Sequence, residues 1–154
     1  MSNMNTNATR KIQFRALHDK RWCTEDEWIY GTPYFSPEQN EWYMFTGNAI
    51  RNKDNIVKGE TIGQYVDYCD ENGTEIYEGD VVKCYSASKK QSMGLMVVDF
   101  IDGAFRLVQL GEYLGIYPPQ KLQISYPIWR FQKEIVGNIH TTPEFQKPKQ
   151  IAEW

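Results

Sequence analysis

Asp70, Asn72 and Thr74 stand at alternating positions, the spacing that opens an EF-hand calcium loop. Such a loop needs a glycine at its sixth position and a glutamate at its twelfth. Counting from Asp70, Gly73 falls fourth and Val81 twelfth, so the calcium reading fails. Glu75, Glu78 and Asp80 follow and are candidates for a general acid–base carboxylate pair. That work requires perturbed pKa values in a sheltered site. These acids lie among turn residues and are read instead as solvated charges on an exposed hairpin. His18 neighbours Asp19, but adjacent residues do not make a catalytic pair. His140 alternates with Asn138 at a strand end and reads as a surface or hydrogen-bonded histidine. Cys23, Cys69 and Cys84 are odd in number with no close pair, so no disulfide framework is implied. With the two histidines they also lack the paired ligand spacing of structural zinc. No phosphate-binding loop or nucleophile elbow occurs. The expectation is a chain with no catalytic residue, metal or cofactor; the further alternative is an unrecognised enzyme, which a deep pocket lined by His140 or the Glu75–Asp80 cluster would revive.

One segment has binding chemistry. Ser86-Ala87-Ser88-Lys89-Lys90-Gln91-Ser92 is a basic loop beside Lys83 and Tyr85. Cations next to a stacking ring suit single-stranded nucleic acid. The opposing fact is the formal net charge of −3, which supplies no general field for phosphates. Lys83, Tyr85, Lys89 and Lys90 are therefore the contacts of a disfavoured alternative. Aromatic content points elsewhere. Five Trp, ten Tyr and seven Phe in 154 residues suit a β core and also an interface. The leading expectation is a protein-interaction module with an unknown partner or a second copy of itself, as a homo-oligomer. No apolar run approaches a membrane span. The N-terminus is polar and lacks a signal core, so a cytoplasmic location is expected.

The elements that hold these residues are short strands. Asn72-Gly73 marks a hairpin turn. A two-residue loop would set Asp70 against Glu75, like charges facing each other. A three-residue loop, Glu71-Asn72-Gly73, pairs Asp70 with Thr74 and Tyr68 with Ile76 and places Gly73 in the left-handed region. The second register is preferred. Glu78-Gly79-Asp80 bends the chain again before a strand from Val81 to Tyr85. The cleanest hairpin is Leu95–Ile101, Asp102-Gly103, Ala104–Val108. It pairs Phe100 with Phe105, Asp99 with Arg106, Val98 with Leu107 and Val97 with Val108. Both its faces are largely apolar, which fits a barrel, a sandwich or a subunit interface.

Further strands are expected at Lys11–Ala16, Trp28–Tyr30, Tyr34-Phe35, Trp42–Phe45, Trp129–Phe131 and Glu134–His140. Residues 51–60 read as a polar loop, Pro118-Pro119 as a break, and Thr142-Pro143-Glu144 as one helical turn. The fold class is all-β. Its expected parts are a disordered tail over 1–10, a β-rich subdomain over 11–75, a small partly open barrel-like subdomain over 76–145, and a tail over 146–154.

Four segments, in order, carry a resemblance: Ile12–Ala16, Trp28–Gly31, Thr61–Tyr65 with Asn72–Val82, and Glu134–Phe145. They resemble the opening strand, the Trp-Val-Tyr-Gly run, the hallmark stretch and the Gly-Asn-Ile-Tyr-x-Asn-Pro-Glu signature of the YopX family of phage and prophage proteins. The matching signature residues are Asn72, Gly73, Ile76, Tyr77, Gly79, Asp80, Gly137, Asn138 and Pro143. Val66-Asp67-Tyr68 replaces the family's usual Thr-Gly-Leu, and His140 replaces its Tyr. The resemblance implies an all-β accessory protein of mobile-element origin in a bacterial host cytoplasm. It carries over no enzymatic activity and no catalytic residue.

Overall fold

The computed structural model describes residues 9–19, 25–47, 53–115 and 124–147. The expected tail over residues 1–8, Cys23, Pro118-Pro119 and residues 148–154 lie outside that range. The described residues form two antiparallel sheets, so the all-β expectation holds. The first contains β1 (Phe14–Leu17), β2 (Trp28–Ser36), β3 (Glu41–Phe45), β4 (Ile56–Val57), β5 (Gly63–Cys69) and β6 (Glu75–Tyr77), in the order β4-β3-β2-β1-β5-β6. The second contains β7 (Asp80–Tyr85), β8 (Ser92–Ile101), β9 (Ala104–Gln109), β10 (Ser125–Pro127) and β11 (Gln132–Asn138), in the order β10-β9-β8-β7-β11. Each sheet ends in two edge strands, so neither closes into a barrel. One short helix, α1 (Leu110–Tyr113), follows β9.

Local turn chemistry explains much of the register. Asp102 (φ 50°) and Gly103 (φ 82°) both adopt the left-handed region, as a two-residue type I′ turn requires. All four expected pairs across β8 and β9 form, Phe100–Phe105 through Val97–Val108. The rings of Phe100 and Phe105 meet edge to face. Arg106, although opposite Asp99, turns its guanidinium to the Ser125 hydroxyl and carbonyl on β10. The Asn72-Gly73 turn also has the preferred three-residue loop. Asp70 N donates to Thr74 O, Gly73 N donates to Asp70 O, and Gly73 has φ 80°. The expected Tyr68–Ile76 pair is absent from the ladder. An irregularity between Tyr65 and Cys69, with Asp67 at φ 65°, brings Tyr65 opposite Tyr77 instead.

Other expectations need correction. Trp28–Tyr30 and Tyr34-Phe35 belong to one strand, β2, that runs through Gly31 and Pro33. Gly31 has no room for a side chain, since a Cβ there would collide with the Phe45 carbonyl oxygen. Residues 51–60 are more than a loop: β4 pairs with β3 and lies between two 3-10 turns. Trp129–Phe131 is a turn between β10 and β11. Aromatic strand propensity is overridden there by the local contacts described below. The single turn at Pro143–Phe145 forms, with Pro143 in its first position.

The core spans both sheets. Val66 and Ile76 of the first pack with Val82, Cys84, Met96, Val98 and Leu107 of the second. On the opposite face of β7 and β8, Val81 and Val97 pack against Phe145, flanked by Leu110 and Ile139. The two apolar faces of the β8–β9 hairpin are thus largely covered within one chain. A smaller cluster of Ala16, Met44 and Val57 fills the first sheet. Each fully buried large side chain contributes on the order of 1.5–3 kcal/mol of hydrophobic stabilisation.

Candidate functional site

Two buried carboxylates join the sheets. Asp80, at the start of β7, accepts a 2.6 Å hydrogen bond from Arg15 Nη2 of β1 through Oδ1. Asn138 Nδ2 of β11 donates to the same oxygen, and the Tyr77 backbone N–H donates to Oδ2. Arg15 lies over two rings: its guanidinium carbon is 4.0 Å from the Trp28 centroid and 4.4 Å from that of Tyr77. Arg15 Nε and the Tyr77 hydroxyl are buried without a hydrogen-bond partner among the described residues. Burial, with Glu75 and Tyr30 adding to it, pushes the Tyr77 hydroxyl up to about 12.

Asp70 makes the second joint. Its Oδ1 accepts the N–H groups of Asn72 and Thr74, closing the turn. Its Oδ2 accepts the N–H of Ile135 on β11, while Glu71 N donates to Lys133 O. The turn of the first sheet therefore covers part of the open edge of the second. These positions correct the reading of the stretch as solvated charge: Asp70 and Asp80 are buried. Glu75 does face solvent, paired with Lys11 at 2.8 Å.

The remaining signature residues shape this region. Gly79 (φ 89°) makes the bend between the sheets. At Gly137 a Cβ would lie 2.6 Å from Phe145 Cε2, so only glycine lets the Pro143 turn pack there. Ile76 fills the shared core. Beside the bend is a cleft of about 170 Å³ bordered by Glu60, Glu78, Asp99, Tyr113 and His140. Burial raises the Glu78 carboxyl, with Asp99 adding to it and the Gln64 N–H opposing. Burial lowers the His140 imidazole, opposed by Glu60 and assisted by Arg15. Among the described residues no hydrogen bond joins the His140 ring to a carboxylate. The perturbed groups are near one another but are not arranged as an oriented acid–base pair.

Accessible apolar chemistry lies at the far end of the second sheet. A groove of about 530 Å³ is lined by Ser86, Ala87 and Met93 on one side and by Trp129, Arg130, Phe131 and Gln132 on the other. Trp129 is 60% exposed, the most exposed ring among the described residues. The turn that presents it is firmly held. Arg130 N donates to Pro127 O, and Ile128 is buried. Phe131 takes φ 66°, a strained value for a bulky residue. Beneath it, buried Lys133 donates from Nζ to the carbonyls of Arg130 and Phe131. The Phe131 ring packs edge to face on Tyr126. Arg130 lies with its guanidinium carbon 5.6 Å from the Phe131 centroid. Strain of this kind persists where the surroundings over-determine it, and it concentrates at functional sites.

The nucleic-acid candidates are only partly gathered. Lys83 Nζ lies 5.5 Å from the Tyr85 centroid, but Lys83 also stands opposite Glu134. Lys89 is paired with Glu71 at 2.6 Å. None of Lys83, Tyr85, Lys89 or Lys90 lines the groove, although the last two share the loop that carries Ser86 and Ala87. Sequence reasoning missed Arg15, Trp28, Trp129, Phe131 and Lys133. None of them carried a distinctive signal: Lys133, for example, stands between Gln132 and Glu134 as a surface lysine would.

Taken as a class, this is an all-β protein of two open antiparallel sheets joined by buried carboxylates. The chain belongs to the YopX family, described as YopX protein, which it matches over residues 6–146. Among solved structures it is similar to the crystal structure of protein YopX from Bacillus subtilis, at 17% identity and a TM-score of 0.49. That similarity covers 87% of this chain and 97% of the other. No curated protein matches the chain. Among the described residues no helix is long and apolar enough to cross a membrane, and no cluster of three or more His, Cys, Asp or Glu is placed to hold a metal.

Proposed function

We propose that the chain is a non-catalytic phage or prophage accessory protein, acting in a bacterial cytoplasm, that binds a protein partner through the Trp129 groove. The supporting observation is an exposed Trp on a strained, doubly anchored turn beside an open groove. Exposed Trp and Arg beside Phe and Met is the composition of an interface hot spot. Self-association has lost one motive, because the two-faced β8–β9 hairpin finds its partners within the chain. Single-stranded nucleic acid is the second reading, favoured by the Lys83–Tyr85 contact and opposed by Glu134 and Glu71 beside its cations.

Selection of displayed random peptides on the full chain tests the first reading. Peptides that bind the wild type should bind Trp129→Ala at least about tenfold more weakly, a loss of about 1.4 kcal/mol. Thermal unfolding should be unchanged, because Trp129 is largely solvent-exposed. Selected peptides indifferent to Trp129→Ala would overturn the assignment of this groove. A gel shift that depends on Lys83 and Lys90 would favour the nucleic-acid reading.

A further inference from the structure

We propose that the occupant of the Trp129 groove is an anionic linear peptide carrying a large apolar or aromatic anchor. The inference rests on the interaction reading above and adds the chemistry of the partner. Met93, Trp129 and Phe131 supply an apolar wall for the anchor. Arg130 supplies the charge. It is exposed, lies near the Phe131 ring, and pairs with no carboxylate among the described residues. A guanidinium held near a ring keeps its fork available for a carboxylate, which it binds with two parallel hydrogen bonds.

The surroundings agree in sign. Among the described residues no carboxylate lines the groove. Buried Lys133 places a second cation under the turn, held by carbonyl oxygens. Two acids stand near the adjacent loop: Glu71 is paired with Lys89, and Glu134 lies opposite Lys83. Two other concave surfaces among the described residues are richer in acids. The cleft at the sheet bend has Glu60, Glu78 and Asp99, and a groove along β3 and β4 has Asp19, Glu41 and Glu60. In a chain of net charge −3, the Trp129 groove offers an anion an exposed guanidinium with no acid among its described lining residues. A nucleic-acid strand would gain little more, since its binding needs several free cations along the backbone and the groove lining offers one.

The test uses two pools of fluorescein-labelled hexapeptides, each with two central positions randomised among large apolar residues. One pool has Asp and Glu flanks, the other Lys and Arg. Fluorescence anisotropy on the full chain should show the acidic pool binding at least about tenfold tighter. Arg130→Glu should erase or invert that preference, and Trp129→Ala should weaken both pools. Equal binding of the two pools, lost in Trp129→Ala, would overturn the anionic partner and leave the groove reading standing. A preference for acidic flanks that survives Arg130→Glu would also overturn it. Absence of binding by either pool up to millimolar concentration would sink both. Displacement of the acidic pool by oligothymidine at low salt would reassign the groove to nucleic acid.

Discussion

Asp80 receives hydrogen bonds from three strands or their ends: Arg15 of β1, the Tyr77 N–H closing β6, and Asn138 of β11. A buried ion pair is weak evidence of net stability, because desolvation offsets much of the attraction. Removing one partner is a different matter, since the other is then left charged and buried. Arg15→Ala should therefore cost about 3–5 kcal/mol in urea unfolding. Asp80→Asn should cost somewhat less, because its amide oxygen can still accept from Tyr77. In the double variant neither charge is stranded, so its loss should fall at least about 1 kcal/mol short of the sum of the two. Additive losses would mean that the two charges do not act as a pair. The Arg15 partners were not legible in the sequence. In β1, Arg15 alternates with Phe14 and Ala16 as a solvent-facing residue would, and Asp80 stands 65 positions away.

At the scale of elements, the turn at Asp70 does two jobs with one side chain. It closes the three-residue loop and lends an acceptor to the edge of β11. Replacing it with alanine leaves three N–H groups without that carboxylate. Asp70→Ala should lower stability by about 2–4 kcal/mol, since bonds to a charged acceptor are each worth about 1.5–3 kcal/mol and exposed donors regain water. The amides of Asn72, Thr74 and Ile135 should lose hydrogen-exchange protection together. Loss confined to Asn72 and Thr74 would show that the contact with β11 is not held. The contrast with β8–β9 marks what a sequence can reveal. There the Asp102-Gly103 turn dictates φ at both positions, and every pair follows from it. The Asp70 loop was equally legible at its tip, but the irregularity at Asp67 and the bond to Ile135 depend on strands distant in the chain. Trp129–Phe131 shows a different limit. Its aromatics favour a strand, and nothing in the residue types announces that Lys133, two positions on, turns back to the Phe131 carbonyl while Phe131 takes positive φ.

Across the whole molecule, the two sheets share the main apolar core, beside a smaller cluster within the first sheet and another on the opposite face of β7 and β8. Val66 and Ile76 cover Val82, Cys84, Met96 and Leu107, so a second sheet made alone would expose that face. It would also lose Arg15 from Asp80 and Asp70 from the β11 edge. The full chain should consequently unfold as one unit, with tryptophan fluorescence and far-ultraviolet circular dichroism tracing the same urea transition. A fragment over residues 78–154 should collapse without fixed packing, binding a hydrophobic dye and lacking near-ultraviolet dichroism. Two separated transitions, or a dispersed amide spectrum from the fragment, would show instead that the second sheet folds by itself. The distinction bears on function. If the sheets melt together, Arg15 and Asp80 support the Trp129 turn through the common fold, and variants at the joint should weaken peptide binding only as far as they unfold the chain. Binding measured per folded molecule should then be the same for Asp80→Asn as for the wild type, while Trp129→Ala should lose affinity with the fold intact.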